Sequence, residues 1–536
     1  MIVVPDTDII LLKSPLKLDN YNQITFSNLT AQYNYFSSLP KLEYDGCTYQ
    51  RKDGVIYYDT DKETNINAPR FEDLLQYNYC MYKNDSYKDK WFYAFVTDIK
   101  YINDGMTEIT IDTDAFQSWQ FDIIYMNSFI EREHVSNDTV GLHTLPEGLE
   151  TGEYITNTEN KNNYLTSYSI LVASTIDLDT YASDGGNAYG GVYQGYNLYH
   201  FSNSSTGRTA LQNVLMRMNT DQKLNAIVGI FLCPVGFFTT DSLTDGSKVT
   251  PETTPRGFSW GSSVQDTYVQ RLNTLNGYTP KNNKLKTYPY MYLLMDNGSG
   301  SQAIYRYEDF NTSGNDLDFT IVGTPSFGGS YFVMPENYGG SAPNNYKNRL
   351  HGGKIPTCGF QNDTFINWLS ANAVPISTGL AGDSVSAISG SAQTASGNAS
   401  GISSILSGFF GIFNKMNEVE YHSKMPPQHV GNADTGDVNF VRGITTFTAY
   451  GMSIKQEYAK CIDDFMSMYG YKVNRLATPN IHKRSNWDYI KCIDVNLEGN
   501  IPEKDLDKIR MLFNNGCTFW HTTSNYLDYS QTNSIL

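Results

Sequence analysis

Between Thr364 and Asn414 the chain carries a single ionisable residue, Asp383. Soluble domains devote about a quarter of their residues to charge, so this stretch cannot be the outside of an ordinary one. It consists of Ala, Gly, Ser, Ile, Leu, Val and Phe and ends in Ile402-Ser-Ser-Ile-Leu-Ser-Gly-Phe-Phe-Gly-Ile-Phe413; charge returns with Lys415 and Glu418. Neither strand alternation nor one helical stripe covers it. Three readings stay open: a flexible Gly/Ser linker, a buried helical hairpin, or a membrane-active loop that works through several copies at once. A plain linker would not gather Ile405, Leu406, Phe409, Phe410, Ile412 and Phe413 so closely, because exposed apolar clusters mark interaction sites.

The flanks read differently. A chain of 536 residues is too long for one core and implies two to four domains. Forty Tyr and 27 Phe favour strands, and 43 Gly suit many turns. Trp91–Val96 predicts a strand of about six residues, Asn103-Asp-Gly105 a hairpin turn, and the alternating Thr107–Thr113 its partner. The first 130 residues read as strands throughout. Glu131 to Glu153 is charged and turn-rich and is placed as a junction. Tyr168–Ala173 and Ala226–Leu232 predict strands, and Asp184–Tyr199 and Gly339–Gly353 read as loops. Helices are predicted only near the end. One spans Ile454–Met468 with an apolar face of Ile454, Tyr458, Cys461, Ile462, Phe465 and Met468 and stops at Gly470. The other starts at Pro502 and ends at Asn515-Gly516. The strand Tyr489–Val495 lies between them. The fold class is therefore mainly β with some α, multidomain, divided as 1–155, 156–350, 351–440 and 441–536.

A net charge of −17 and a pI near 4.9 argue against gripping nucleic acid, whose phosphates are held by Lys and Arg; an acidic wall that nucleic acid slides past fits. Seven cysteines, Cys47, Cys80, Cys233, Cys358, Cys461, Cys492 and Cys517, form no C-x-x-C pair and read as small core residues in a protein folded in a reducing cytoplasm. Met1-Ile-Val-Val-Pro5-Asp6 has no basic region or cleavage site and is not read as a secretory signal. No apolar run reaches 18 residues.

Chemistry-bearing patterns are weak. Asp59-x-Asp61-x-Glu63 begins like a calcium loop but has Thr64 where the loop glycine belongs. Asp112-Thr-Asp114 stands at a strand end. Glu131, Glu133 and Glu147 could serve as paired carboxylates for glycoside cleavage, but acidic residues at a junction are more often surface or ion-pair groups. His134 and His143, and His422 and His429, lack a metal-spaced complement. No catalytic residue, metal or cofactor is assigned.

Several stretches in one order are similar to a known family: Gln32-Tyr-Asn-Tyr-Phe36, Trp91–Val96, Asp114-Ala-Phe-Gln-Ser-Trp119, Ser128-Phe-Ile-Glu-Arg-Glu-His-Val135, Glu147-Gly-Leu-Glu-Thr-Gly-Glu-Tyr154, Ser453–Ala459, Gly470–Asn474 and Asn486–Lys491. They resemble the tail knob (distal tail tube) proteins of small short-tailed bacteriophages with protein-primed genomes, the Picovirinae-type podophages. The resemblance covers about residues 30–155 and 440–530. It implies a homo-hexameric ring at the tail tip. The first and last parts of the chain form the tube wall, residues 156–350 are inserted outer domains, and 351–440 is a long apolar loop that plugs the lumen and later enters the host membrane. The implied partners are the proximal tail tube or collar proteins, host membrane lipids, and phage DNA that passes without specific binding. The loop residues assigned to that role are Ile376, Leu380, Val385, Ile388, Ile402, Ile405, Leu406, Phe409, Phe410, Ile412 and Phe413. Six copies at −17 would place on the order of −100 charges around the passage, a wall that does not hold DNA. The alternatives are a receptor-binding tail protein whose Tyr189–Tyr199 loop stacks on host cell-wall glycans, and a wall hydrolase using Glu131, Glu133 or Glu147.

Overall fold

The structure, a computed structural model, describes residues 7–47, 54–60, 68–84, 90–162, 168–183, 185–189, 192–234, 237–238, 243–249, 263–298, 300–311, 314–323, 325, 329–339, 348–354, 357–359 and 447–536. They are mostly β, arranged in several sheets with a few helices. The chain divides into two compact units. One comprises Met1–Glu150, Pro280–Leu285 and Glu457–Leu536; the other comprises Thr151–Thr279 and Lys286–Gln456.

In the first unit a six-stranded antiparallel sheet runs in the order Lys41–Cys47, Thr7–Leu12, Tyr79–Asn84, Trp91–Asn103, Met106–Thr113, Val55–Asp59. Its central strands are buried on both faces. Ile9, Leu11, Cys80, Tyr82, Phe92 and Ala94 enter one core; Ile10, Leu12, Tyr79, Met81, Tyr93 and Phe95 enter another. Alternation sends neighbouring residues to opposite faces, so a strand with a core on each side reads as an unbroken apolar run. The hairpin at Asn103-Asp-Gly105 forms, but its first strand is longer than the six residues expected. Pairing with Met106–Thr113 continues past Val96 through two register shifts, out to Asn103, because backbone hydrogen bonds persist where side-chain burial has ended.

A five-stranded sheet follows in the order Asn22–Ile24, Cys517–Trp520, Trp487–Ile493, Ser128–Glu133, Tyr471–Ala477. Its first pair is parallel and joins the two ends of the chain. The helix Glu503–Asn515 places Leu506, Ile509, Leu512 and Phe513 in the same core as Ile9 and Leu11. It is bounded by Pro502 and Gly516 as expected. Gly516 has φ +89°, and a Cβ there would meet the Tyr489 hydroxyl. The other C-terminal helix, Gln456–Tyr469, buries Ala459, Ile462, Asp463 and Met466. The apolar face read from sequence is thus rotated, and Cys461 is exposed. Helices also occur where strands were expected: Leu29–Ser37, capped by the Asn28 side chain on the Ala31 N–H at 2.8 Å, and the short Ala115–Trp119.

The second unit contains three four-stranded sheets. Tyr168–Ser174, buried at every position, lies between Asn197–Ser202 and Ile227–Pro234, with Thr357–Gly359 beyond. Another sheet orders Ser263–Gln270, Asp316–Gly323, Ser330–Pro335 and Leu350–Lys354, so the end of the stretch read as a loop at Gly339–Gly353 is a strand. The third orders Tyr154–Asn162, Phe447–Ile454, Met291–Asp296 and Gln302–Tyr305. A helix unforeseen from sequence, Ser205–Thr220, is capped by Ser204. Within the stretch Asp184–Tyr199, read as a loop, Asn187–Tyr189 pairs antiparallel with Val192–Gln194, and Asn197–Ser202 is a further strand.

Candidate functional site

Most of the residues that carried the family resemblance lie in the first unit; Thr151–Tyr154 and Ser453–Gln456 belong to the second. Strand Ser128–Glu133 has an extra residue where its pairing passes from Lys491↔Arg132 to Cys492↔Ile130. Such a bulge breaks the period of two, so Ile130 and Glu133 both face inward. Glu133 is 1 % exposed. Its Oε1 accepts from Arg475 Nε at 2.9 Å and Nη2 at 2.5 Å, and its Oε2 accepts from the buried ammonium of Lys483. Glu147, whose side chain is fully buried, accepts from Arg132, from Lys284 and from the Lys472 backbone N–H at 3.0 Å. Glu131 pairs with Lys491 at 2.8 Å.

Beside these pairs lies an Asp–His group. Asp488 accepts the Lys483 and Arg484 backbone N–H groups at 2.7 and 3.0 Å and lies 3.1 Å from His521 Nε2. Burial pushes its carboxyl up, but the His521 bond, His134 and the two backbone donors outweigh burial and hold it below the usual range. His134 is buried and neutral. Its Nδ1 accepts from the Tyr489 N–H at 2.8 Å and its Nε2–H faces the Ser467 carbonyl at 3.1 Å. That fixes the tautomer, so the 4.0 Å approach of Nδ1 to Asp488 is not an ion pair. Burial lowers His134 to about 4. Tyr471 donates to Asp138 at 2.6 Å, and burial pushes its phenol far up.

Besides the Lys284–Glu147 pair, two carboxylates anchor Pro280–Leu285 in this unit. Asp463 accepts the Lys281 and Asn282 N–H groups at 2.7 and 3.0 Å, and Asp138 accepts that of Asn283 at 2.9 Å. Gly470, at φ +65°, closes helix Gln456–Tyr469; a Cβ there would meet the Glu133 carbonyl.

Glu133, Glu147, Asp138, Asp463 and Asp488 are each held by cations or backbone donors, with Asp488 Oδ1 left without a hydrogen bond among the described residues. Glu131, Glu133 and Glu147 are ion-pair groups, and Glu133 and Glu147 are buried rather than superficial. Asp112 pairs with Lys508 at 2.7 Å, and Asp114 caps helix Ala115–Trp119 while accepting from Tyr79 at 2.9 Å. Among the described residues no group of His, Cys, Asp and Glu is arranged to hold a metal. Cys80 and Cys492 are core thiols pushed up to about 12 by burial. Of the four tyrosines in Tyr189–Tyr199, Tyr189, Tyr196 and Tyr199 are buried, which removes them from stacking on glycans; Tyr193 is exposed. The loop residues Ile376, Leu380, Val385, Ile388, Ile402, Ile405, Leu406, Phe409, Phe410, Ile412 and Phe413 lie outside the described residues, as do Asp61, Glu63, His422 and His429. Sequence reasoning missed Lys284, Arg132, Asp138 and Asp463. Their partners lie 15 to 338 positions away, and no local pattern marks them.

Residues 251–534, more than half of the chain, match the family model of the C-terminal domain of the tail knob protein gp9 of Bacillus phage phi29. The chain belongs to this tail knob family. Residues 6–125 also match the model of the Caudoviral major tail protein N-terminus. The tail knob proteins gp9 of Bacillus phages phi29 and B103 are each 24 % identical to it, over 98 % and 97 % of both chains; that of Bacillus phage PZA is 25 % identical over 96 % of both. The tail knob protein gp12 of bacteriophage C1 shares the fold, with a TM-score of 0.62 at 16 % identity over 99 % of this chain and 100 % of that one. As a tail knob family member the chain is a structural component of the phage virion, located in its tail.

Proposed function

We propose that this tail knob protein is the subunit of a hexameric distal tail tube that conducts DNA during ejection. In this reading residues 1–155 and 441–536 form the tube wall, 156–350 the outer domains, and 351–440 an apolar segment that plugs the lumen and enters the host membrane. The observation that carries it is the closure of Met1–Glu150 and Glu457–Leu536 into one unit with shared cores. A wall built from both chain ends leaves what lies between them, apart from Pro280–Leu285, as an insertion. The near-absence of charge from Thr364 to Asn414 supports the membrane role, since several apolar loops emerging together provide a multivalent surface that one lacks. The protein assembles with the other tail proteins, and DNA passes an acidic wall without being gripped.

Negative-stain electron microscopy of the purified protein tests the tube: closed six-fold rings with a central hole are expected, and monomers or solid trimers would overturn it. Deleting Ile376–Phe413 is expected to preserve assembly and abolish dye leakage from liposomes. Leakage that survives the deletion would remove the plug.

A further inference from the structure

One position past Ser128–Glu133 a side chain takes the place of backbone. The His134 N–H donates to the Tyr489 carbonyl at 3.1 Å. In an antiparallel ladder the Tyr489 N–H would return to the carbonyl of residue 134. It donates instead to His134 Nδ1 at 2.8 Å. The end of the pairing between Ser128–Glu133 and Trp487–Ile493 therefore depends on an unprotonated ring nitrogen. A backbone carbonyl remains an acceptor at every ordinary pH; an imidazole nitrogen does not.

A second acceptor stands ready for that nitrogen. Asp488 Oδ1 lies 4.0 Å from Nδ1 and takes no hydrogen bond among the described residues. Asp488 is buried, where an unpaired carboxylate oxygen is costly. Its other oxygen is engaged by the Lys483 and Arg484 N–H groups and by His521, so Oδ1 alone is open. The remaining neighbours offer no rival acceptor at Nδ1. Helix Gln456–Tyr469 presents the Ser467 carbonyl, which faces Nε2 at 3.1 Å and takes the Trp487 indole N–H at 3.2 Å. The segment before Trp487 brings the cations of Lys483 and Arg484, which disfavour a charged ring, as burial does. Lys483 is paired with Glu133, whose other oxygen holds Arg475. His521 and the His482 ring against it lie beyond Asp488.

We infer that His134 is an acid-operated latch: a proton on Nδ1 expels the Tyr489 N–H and turns the ring onto Asp488 Oδ1, releasing the end of the strand pair. The proton comes from solvent and no covalent bond to carbon changes. The ring has to close a 4.0 Å gap to hydrogen-bond reach, a shift of roughly 1 Å. The released end is where the chain leaves Ser128–Glu133 for Glu150, after which the second unit begins. Burial lowers the ring to about 4, so the latch is shut at neutral pH and opens in acid.

Hydrogen exchange of the full-length protein, read by mass spectrometry from about pH 6 to about pH 3.5 and corrected for intrinsic exchange rates, tests the latch. Peptides spanning Tyr489 are expected to lose protection at least tenfold near the bottom of that range, while those of Tyr79–Asn84 keep theirs. Protection at Tyr489 that does not change, or that falls only together with Tyr79–Asn84, would overturn the inference. In His134→Gln the amide oxygen accepts at every pH, and the Tyr489 peptides should stay protected throughout; a loss equal to wild type would overturn it. Asp488→Asn keeps one oxygen for the Lys483 and Arg484 N–H groups and turns an NH2 toward the ring. It should move the opening lower by about one pH unit. Lost stability alone would move the opening to higher pH, and that outcome would also overturn the inference.

Discussion

The two sheets of the first unit are closed by opposite means. Around the six-stranded sheet the interior is aromatic: Phe36 stacks on Tyr79 with centroids 5.4 Å apart, and Phe95 meets Tyr79 edge-on at 5.1 Å. Around the inner end of the five-stranded sheet it is ionic: the side chains of Glu133, Glu147, Asp488 and Asp463 are buried and each is held by cations or backbone donors, with Asp488 Oδ1 alone among these four carboxylates' oxygens taking no hydrogen bond within the described residues. Apolar burial is non-directional and accepts any side chain of suitable size. A buried carboxylate tolerates only its partner, because an unpaired charge in the interior is costly. The first sheet therefore sets what is inside. The second sets which segment meets which, across separations as large as the 350 residues between Glu133 and Lys483.

The sharpest way to break this contrast is Glu133→Ala. It leaves Lys483 buried without its carboxylate and is expected to cost about 3 to 5 kcal/mol in denaturant titration. Glu133→Leu with Lys483→Met should recover most of that loss; a double variant no better than the single would refute the ionic account. Next comes pH. His134 falls to about 4 in the folded chain against an ordinary 6.5, so the unfolded state binds the extra proton and stability declines as pH drops from 6.5 to 4, by about 3 kcal/mol. Asp114, beside the six-stranded sheet, is raised by burial to about 6 against 3.8. There the folded state binds the extra proton, and stability declines as pH rises from 3.8 to 6. The two regions thus oppose each other. Relative to wild type, His134→Gln should flatten the acid loss and Asp114→Asn should steepen it, read from melting temperatures between pH 6 and 4.5; shifts of the same sign would erase the comparison.

Gly470→Ala strains a left-handed backbone position and presses a Cβ on the Glu133 carbonyl. It should cost about 1 to 3 kcal/mol, with the loss located in the five-stranded sheet by hydrogen exchange. The smallest effect belongs to Lys100→Ala. Its 3.8 Å pair with Glu108 is exposed, and melting should change by less than about 0.5 kcal/mol.

What the sequence disclosed follows the same division. The hairpin at Asn103-Asp-Gly105, the stops at Gly470 and Gly516, and the strand Tyr168–Ser174 have local signals and are present. Ser205–Thr220 went unread because only Gly207, Leu211 and Met218 are buried in a polar run, although Ser204 was an available cap signal. Tyr189, Tyr196 and Tyr199 looked like a sticky loop and are core, because their rings gain more by packing than composition suggests. The face of Gln456–Tyr469 was misjudged because Asp463 is drawn inward by backbone donors on a distant loop. The tail knob identity was legible because its motif residues enter both interiors of the first unit, Phe36 and Phe95 the aromatic one and Glu133 and Glu147 the ionic one, but their pairing was not, since no local rule links Glu133 to Lys483.

The parallel pairing of Asn22–Ile24 with Cys517–Trp520 has a consequence in time. A ribosome adding about 5 to 20 residues per second delivers the last strand tens of seconds after the first. Until then Ile24 and the core beneath it have no lid. A chain broken off early therefore cannot finish the unit that begins it. Completion of synthesis becomes a condition for folding, and truncated copies are kept out of whatever the finished chains build.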